Sequence, residues 1–186
     1  MSLGTSGTSL QANHLFIMDN LSEILNRPEY LHALLHPMLV CGLLMGVIAL
    51  ALALPLRSQA AKSIALVLIV IASATAWPTI HYGEAAYDRV QAMSDSAGAK
   101  WLEEHHDRAE KLGFVFYILA VVALSALVVP LKWPSLSFPL AVATLALAIS
   151  SIAIGGWISY PAGRIRHKEF RFGPPPQHSE SEHHHH

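Results

Sequence analysis

Four long stretches of this chain contain no Asp, Glu, Lys or Arg. They are residues 37–56, 63–83, 112–131 and 133–163. A helix at the surface of a water-soluble domain needs a polar face, and these stretches have no charged residues with which to form one. Hydrophobic residues make up 53% of the chain and charged residues 13%, roughly half the charged share of ordinary soluble domains. The sequence therefore predicts an integral membrane protein.

Each stretch is long enough to cross a bilayer, because about 20 helical residues span a hydrocarbon core of roughly 30 Å. We expect four spans, at about 36–56, 62–82, 111–131 and 137–160. An even number of spans places both termini on the same side of the membrane. The predicted fold is therefore all-α, an integral membrane four-helix bundle in contact with the lipid bilayer.

The ends of the chain differ in composition from the bundle, which we expect over residues 36–170. Residues 1–17 are rich in Gly, Ser and Thr and are predicted to form a disordered leader. Residues 18–35 combine apolar and charged side chains and are predicted to form a short amphipathic segment at the membrane interface, broken at Pro28. Residues 171–186 are predicted to be an extended, proline-containing tail that ends in the remnant of a histidine tag.

The connection between the second and third spans is helix-forming rather than loop-like. Residues 84–93 continue the second span, residues 94–96 favour a turn, and residues 99–111 favour a helix that leads into the third span. We therefore expect helices 2 and 3 to extend beyond the lipid as a hairpin.

Charge and cysteine content exclude several classes of function. Twelve basic residues against thirteen acidic ones give no indication of a nucleic-acid partner. The single cysteine, Cys41, excludes an intrachain disulfide. None of the spans has a charged residue at its centre, which argues against a pump or channel. Of the Lys and Arg residues, only Arg57, Lys62 and Lys132 lie on the side of the short connections, so the positive-inside rule favours a cytoplasmic location for the other side.

One histidine from each span falls at the same end of the predicted bundle. His36 opens the first span, His81 closes the second, His106 precedes the third and His167 follows the fourth. Successive spans run antiparallel, so these four positions lie at one membrane face. Interfacial anchoring of amphipathic side chains explains such positions equally well for any single residue.

Two neutral imidazoles on opposite helices can hold the iron of a b-type haem from both sides. Spans 1 and 3 are commonly diagonal in a four-helix bundle, as are spans 2 and 4. The predicted axial pair is therefore His36 with His106, and His81 with His167 form a second candidate pair. This arrangement allows one haem or two, and in either case predicts an electron-transfer protein rather than an enzyme that converts a substrate.

Other residues near this end suit the same cofactor. Gly113 lies seven residues after His106, on the same helix face, and its small size would leave room for a porphyrin. Arg108, Arg164 and Arg166 lie at the interface, where guanidinium groups could bind the haem propionates.

A non-haem metal site is the first alternative. His81 and Glu84 form an H-x-x-E motif, and Glu103 and His106 form an E-x-x-H motif. Residues three apart share a helix face, so each motif could present one carboxylate and one imidazole to Zn, Cu or Fe ions. A solvated, charged helix face accounts for the same pattern. A structural membrane subunit without a cofactor is the second alternative.

Several short motifs lie at or near the histidine-bearing end of the predicted bundle. They are His36-Pro37, Gly83-Glu84-Ala85-Ala86-Tyr87, His106 with Leu112-Gly113, Gly155-Gly156-Trp157-Ile158-Ser159-Tyr160, and Gly163 to His167. Together, over residues 32–170, they resemble a bacterial family of four-helix membrane domains of unknown function that is regarded as cytochrome-b-like.

The resemblance implies electron transfer in the bacterial inner membrane, with a quinone or a c-type cytochrome as redox partner. It places the histidine-bearing side outside the cytoplasm, against the Lys and Arg count, so the orientation stays open. The resemblance implies that histidines at the positions of His36 and His106 are a more general feature of such domains than histidines at the positions of His81 and His167. A homo-oligomer is compatible with the sequence.

Overall fold

A computed structural model describes residues 22–177 of the chain. The predicted all-α class is confirmed for this part, which contains helices and no strand. The helices are α1 Pro28–Leu56, α2 Gln59–Ala74, α3 Ala76–Ala92, α4 Ser96–Leu112, α5 Phe114–Val128, α6 Ser137–Ser159 and α7 Ala162–Arg166. Single 3₁₀ turns lie at Val129–Leu131, Pro134–Leu136 and Lys168–Phe170.

The helices form four long rods. Rod 1 is α1, rod 2 joins α2 to α3, rod 3 joins α4 to α5, and rod 4 joins α6 to α7. The junctions at Thr75 and Gly113 keep right-handed helical backbone angles, so rods 2 and 3 continue with little interruption. Each rod is long and apolar enough to cross a membrane, with a mean hydropathy of 2.0 to 2.7 over its most apolar segment.

Rods 1 and 3 lie diagonally across the bundle, as expected. Helix α1 packs against α2, α3 and α6, and α5 packs against α2 and α6. The core between the rods includes Leu50, Leu66 and Leu119, all fully buried. Large apolar side chains also cover the outside of the rods; Val121 is 65% exposed and Phe138 is 63% exposed. A surface of this kind is unfavourable in water and suits a hydrocarbon environment.

Glycines in rod 1 allow its close approach to rod 2. A Cβ atom on Gly46 would lie 2.7 Å from Cγ1 of Ile69, and one on Gly42 would lie 3.1 Å from Cβ of Ala72. The Gly42–Gly46 spacing is the small-xxx-small pattern of closely packed membrane helices. In this bundle the two glycines face a neighbouring helix, which gives them a packing role.

The start of rod 1 differs from the prediction. Residues 28–35 do not form a separate interfacial helix but are the first two turns of α1, which continues through Pro37. The reason is that Pro28 occupies the first turn of the helix, where the missing N–H has no partner to lose and the fixed φ suits the helix. Pro28 therefore begins α1, and the predicted break is also present: residues 22–25 are helical and are separated from α1 by residues 26–27. Residues 1–21, which include the predicted leader, lie outside the described part, as do residues 178–186.

The predicted hairpin is present. Helix α3 runs to Ala92 and α4 begins at Ser96, with a short turn between them. Asp95 caps α4, because its Oδ1 accepts a hydrogen bond of 2.7 Å from the backbone N–H of Gly98. The location of the hairpin outside the lipid stays a prediction.

Candidate functional site

A cavity of about 570 Å³ opens between the rods at the end of the bundle that carries the α3–α4 hairpin. Helices α1, α3, α4 and α6 supply most of its wall. The lining is mainly apolar and includes Leu39, Leu43, Ile80, Phe116 and Ile152. This volume is in the range of about 300–1,000 Å³ that is usual for sites that bind small molecules or cofactors.

Four histidines line this cavity, two from each of two diagonal rods. His32 and His36 lie one turn apart on α1, and His105 and His106 are adjacent on α4. His36 and His106, the predicted axial pair, thus share one cavity. We refer to the space lined by these four residues as the histidine cavity.

Two of the imidazoles are held by backbone carbonyl groups on other helices. Nδ1 of His32 lies 2.8 Å from the carbonyl oxygen of Thr79 in α3, and Nδ1 of His105 lies 2.8 Å from that of Ile158 in α6. A carbonyl oxygen can only accept a hydrogen bond, so Nδ1 carries the proton in both rings. In a neutral imidazole the other nitrogen, Nε2, is then unprotonated and can bind a metal.

These two rings are also close to each other. The ring centres of His32 and His105 are 6.4 Å apart, and the ring planes are inclined by 80°. Two imidazoles that bind one ion from opposite sides, with metal–nitrogen bonds of about 2.0 Å, have ring centres about 6 Å apart. The observed ring-centre distance is close to this value.

The other two histidines of the cavity have different partners. Nε2 of His36 lies 3.1 Å from Oγ of Ser159, and its ring centre is 5.9 Å from that of His32. The His106 ring packs against Tyr87, with ring centres 4.9 Å apart. Sequence reasoning missed the pairing of His32 with His105. The available signal was that His32 lies one turn from the predicted ligand His36 and that His105 is adjacent to the predicted ligand His106.

The second predicted pair does not reach this cavity. His81 is exposed on the outer side of α3 and stacks on Trp77, with ring centres 5.7 Å apart. His167 is also exposed, and its Nδ1 lies 2.8 Å from Oε1 of Glu169. The positions of α3 that line the cavity include Ile80 and Gly83, so the side chain at position 81 points away from it. His167 follows the end of α7, where the chain becomes extended.

Two glycines shape the wall around the histidines. Gly113 lines the cavity, and a Cβ atom there would lie 2.8 Å from Cδ1 of Ile80. A Cβ atom on Gly83 would lie 2.9 Å from Nδ1 of His32. The absence of a side chain at position 83 therefore lets the His32 ring lie against α3, where it reaches the carbonyl group of Thr79.

Of the three predicted arginines, one lines the cavity and the other two have partners elsewhere. Arg166 lines the cavity. Arg108 pairs with Glu104 at 2.6 Å, and its guanidinium group lies 4.0 Å above the ring of Trp157. Arg164 lies 3.7 Å above the ring of Tyr160. Among the three, Arg166 is therefore the one placed to bind an anionic group at the mouth of the cavity.

Carboxylates also occur at the mouth. Glu84 lines the cavity, as do Glu29 and Glu110, whereas Glu103 does not. Within residues 22–177 no three His, Cys, Asp or Glu side chains are arranged to hold a metal ion. The ligand set proposed for a non-haem metal is therefore not assembled in this part of the chain.

Comparison with known proteins identified no similar protein. No protein-family model, curated protein or solved structure matches this chain. The resemblance to cytochrome-b-like membrane domains therefore stays a prediction, and the geometry of the cavity carries the functional argument.

Proposed function

We propose that the chain is a membrane-embedded b-type cytochrome that binds haem in the histidine cavity and transfers electrons. The observation that carries the proposal is the pair His32 and His105, with ring centres 6.4 Å apart and each Nδ1 bound to a backbone carbonyl oxygen. Histidines that bind metals almost always donate the other ring N–H in this manner, because the hydrogen bond fixes the tautomer and the ring orientation.

A haem suits this ligand set better than a free metal ion. A porphyrin supplies four ligands to its iron, so the protein needs to add only one or two. A structural ion such as Zn²⁺ is almost always held by four ligands, and a catalytic one by three from the protein. The cavity offers two imidazoles with ring centres 6.4 Å apart, while the part of the chain from Ser22 to Gln177 offers no cluster of three metal ligands.

The remaining residues of the cavity have roles that follow from their chemistry. Apolar side chains such as Leu39 and Phe116 exclude water from a planar apolar group. Arg166 is the proposed partner of a propionate. His36 and His106 are the alternative iron ligands, and the hydrogen bond between Ser159 and Nε2 of His36 would have to be exchanged for a metal bond.

A bound haem would supply one-electron oxidation and reduction. The protein residues then bind it, orient it and keep it dry, and a separate redox protein or a membrane quinone would exchange the electrons. The proposal thus assigns the chain to electron transfer, in the membrane, without a substrate-converting step of its own.

The test is a visible spectrum of the full chain, produced with an adequate supply of haem and purified in detergent. We expect a sharp Soret band that shifts on reduction with dithionite. His32→Ala and His105→Ala should each abolish the low-spin spectrum. His81→Ala and His167→Ala are the matched controls, since both residues lie outside the cavity, and should leave the spectrum unchanged.

The alternatives make different predictions for the same sample. Loss of the spectrum in His36→Ala and His106→Ala, with survival in His32→Ala and His105→Ala, would move the axial ligands to the other pair. A colourless protein that contains stoichiometric metal would support the non-haem site. A colourless protein without metal would leave a structural subunit, and the cytochrome proposal would be wrong.

A further inference from the structure

The end of the bundle opposite the histidine cavity is positively charged. Residues 50–66 and 125–142, which form this end, contain Arg57, Lys62 and Lys132 and no Asp or Glu. All seven ion pairs within the described ranges lie elsewhere in the bundle. These three cations therefore have no carboxylate partner in residues 22–177.

A second cavity, of about 450 Å³, lies between two of these cations. The turn from α1 to α2 and the start of α6 form its wall, which includes Arg57, Lys62 and the hydroxyl-bearing Ser58, Ser135 and Ser137. The Lys62 ammonium group donates a hydrogen bond to Oγ of Ser137. Two more residues add apolar surface to this wall, Leu54 and Phe138. The cavity thus combines positive charge, hydroxyl groups and apolar contacts.

The backbone at Arg57 is unusual. Arg57 has φ 52° and ψ 21°, which is the left-handed conformation. Among the non-glycine residues of the described part of the chain, only Arg57 has a positive φ. A helix that ends in this conformation usually has Gly or Asn there, because other side chains are strained. An arginine at such a position brings its charge to the cavity in spite of that strain, which points to a use for the side chain.

We propose that this second cavity binds the phosphate group of an anionic phospholipid headgroup. Arg57 and Lys62 would bind the phosphate oxygens, since guanidinium and ammonium groups form strong charge-assisted hydrogen bonds to phosphate. Leu54 and Phe138 would contact the apolar part of the same lipid molecule. The inference rests on the placement of the rods in a membrane and not on the haem.

The experiment measures thermal unfolding of the detergent-solubilised full chain at increasing concentrations of dioctanoyl phosphatidylglycerol. We expect a saturable rise in Tm, because a ligand that binds only the folded state stabilises it. Arg57→Asn and Lys62→Gln should each raise the half-saturating lipid concentration about fivefold. Asparagine is chosen because it accepts the left-handed backbone, so the first variant is expected to fold.

The control variant is Lys100→Gln. Lys100 is exposed on α4 at the other end of the bundle, so its replacement makes the same change in net charge away from the second cavity. It should leave the half-saturating concentration unchanged. Ionic strength is held constant in all titrations, because salt screens exposed charges.

Two further titrations distinguish the ligand. Dioctanoyl phosphatidylcholine should stabilise much less than phosphatidylglycerol, and sodium phosphate should produce no saturable shift. Equal effects of the two lipids, or an unchanged half-saturating concentration in the Arg57→Asn/Lys62→Gln double variant, would overturn the proposal. A saturable, Arg57-dependent shift with sodium phosphate would overturn the lipid assignment in favour of a soluble phosphate ion. None of these results depends on whether haem binds.

Discussion

Nη1 of Arg171 lies 2.9 Å from Oδ2 of Asp95 and joins the C-terminal segment to the turn between α3 and α4. The same guanidinium group donates two more hydrogen bonds, from Nε to the carbonyl oxygen of Arg164 and from Nη2 to that of Ile165, both at 2.7 Å. Ile165 lines the histidine cavity. The arginine therefore holds one wall of the cavity against the hairpin.

Replacement of Arg171 should loosen this wall. The Arg171 side chain is 12% exposed, and Arg171→Ala would leave two carbonyl groups without their donors. We expect a loss of about 1–3 kcal/mol in the free energy of unfolding, measured in detergent with a chemical denaturant. Lys168→Ala is the control, because Lys168 approaches Asp95 from an exposed position and such pairs contribute little. Equal stability of Arg171→Ala and the wild type would show that the contact is unimportant.

The same contact predicts a dependence of stability on pH. Hydrogen bonds from Arg171 and from the backbone N–H of Gly98 hold the pKa of Asp95 well below its usual range. The unfolded chain has an ordinary aspartate pKa of about 3.9, so this stabilisation is present above pH 4 and is lost as the pH falls towards the lower pKa of the folded state. Asp95→Asn should therefore be less stable than the wild type at pH 6. The difference should narrow below pH 4, as followed by Tm between pH 2 and pH 6; a constant difference would contradict the assignment.

Gly83 provides a test of the His32 geometry. In Gly83→Ala the new methyl group would lie 2.9 Å from Nδ1 of His32, so the ring must move and lose the carbonyl oxygen of Thr79. Loss of such a hydrogen bond commonly weakens metal binding by about 10–100-fold, and we expect a similar loss of haem affinity in a titration followed by the Soret band. The control is Gly163→Ala, because Gly163 does not line the cavity and a Cβ atom there would make only an ordinary contact, 3.5 Å from Cδ2 of Phe170. Identical haem affinity in both variants would argue against His32 as a ligand.

The contact between rods 1 and 2 predicts a difference between two similar glycines. A Cβ atom on Gly46 would be 2.7 Å from Cγ1 of Ile69 and 3.3 Å from its backbone nitrogen, whereas one on Gly42 would be 3.1 Å from the Cβ of Ala72. Both changes to Ala alter helix propensity equally, so the difference reports packing. We expect Gly46→Ala to be less stable than Gly42→Ala by about 1–3 kcal/mol in denaturant unfolding. The reverse order would show that the rods pack differently.

The number of helical rods could be predicted from the sequence because it depends on local composition. A charge-free run of about 20 residues is unfavourable in water at any orientation, so it predicts a span without knowledge of its neighbours. The hairpin between α3 and α4 was also predictable, since a turn with the capping residue Asp95 separates two helix-forming segments. The break at Pro28 was predictable, but the start of α1 was not, because a proline can end one helix and begin the next and composition does not show that residues 28–35 join the span.

The grouping of the histidines at one end of the bundle could also be predicted from the sequence, because the position of a residue along antiparallel rods determines its depth in the bundle. The direction in which each ring points did not follow. Successive helical residues differ by about 100° around the axis, so His105 and His106, or His81 and Ile80, face different neighbours although their depths are similar. Only the rotation of each rod about its own axis decided that His32 and His105 face each other while His81 faces outward, and that rotation is set by the packing of all four rods together.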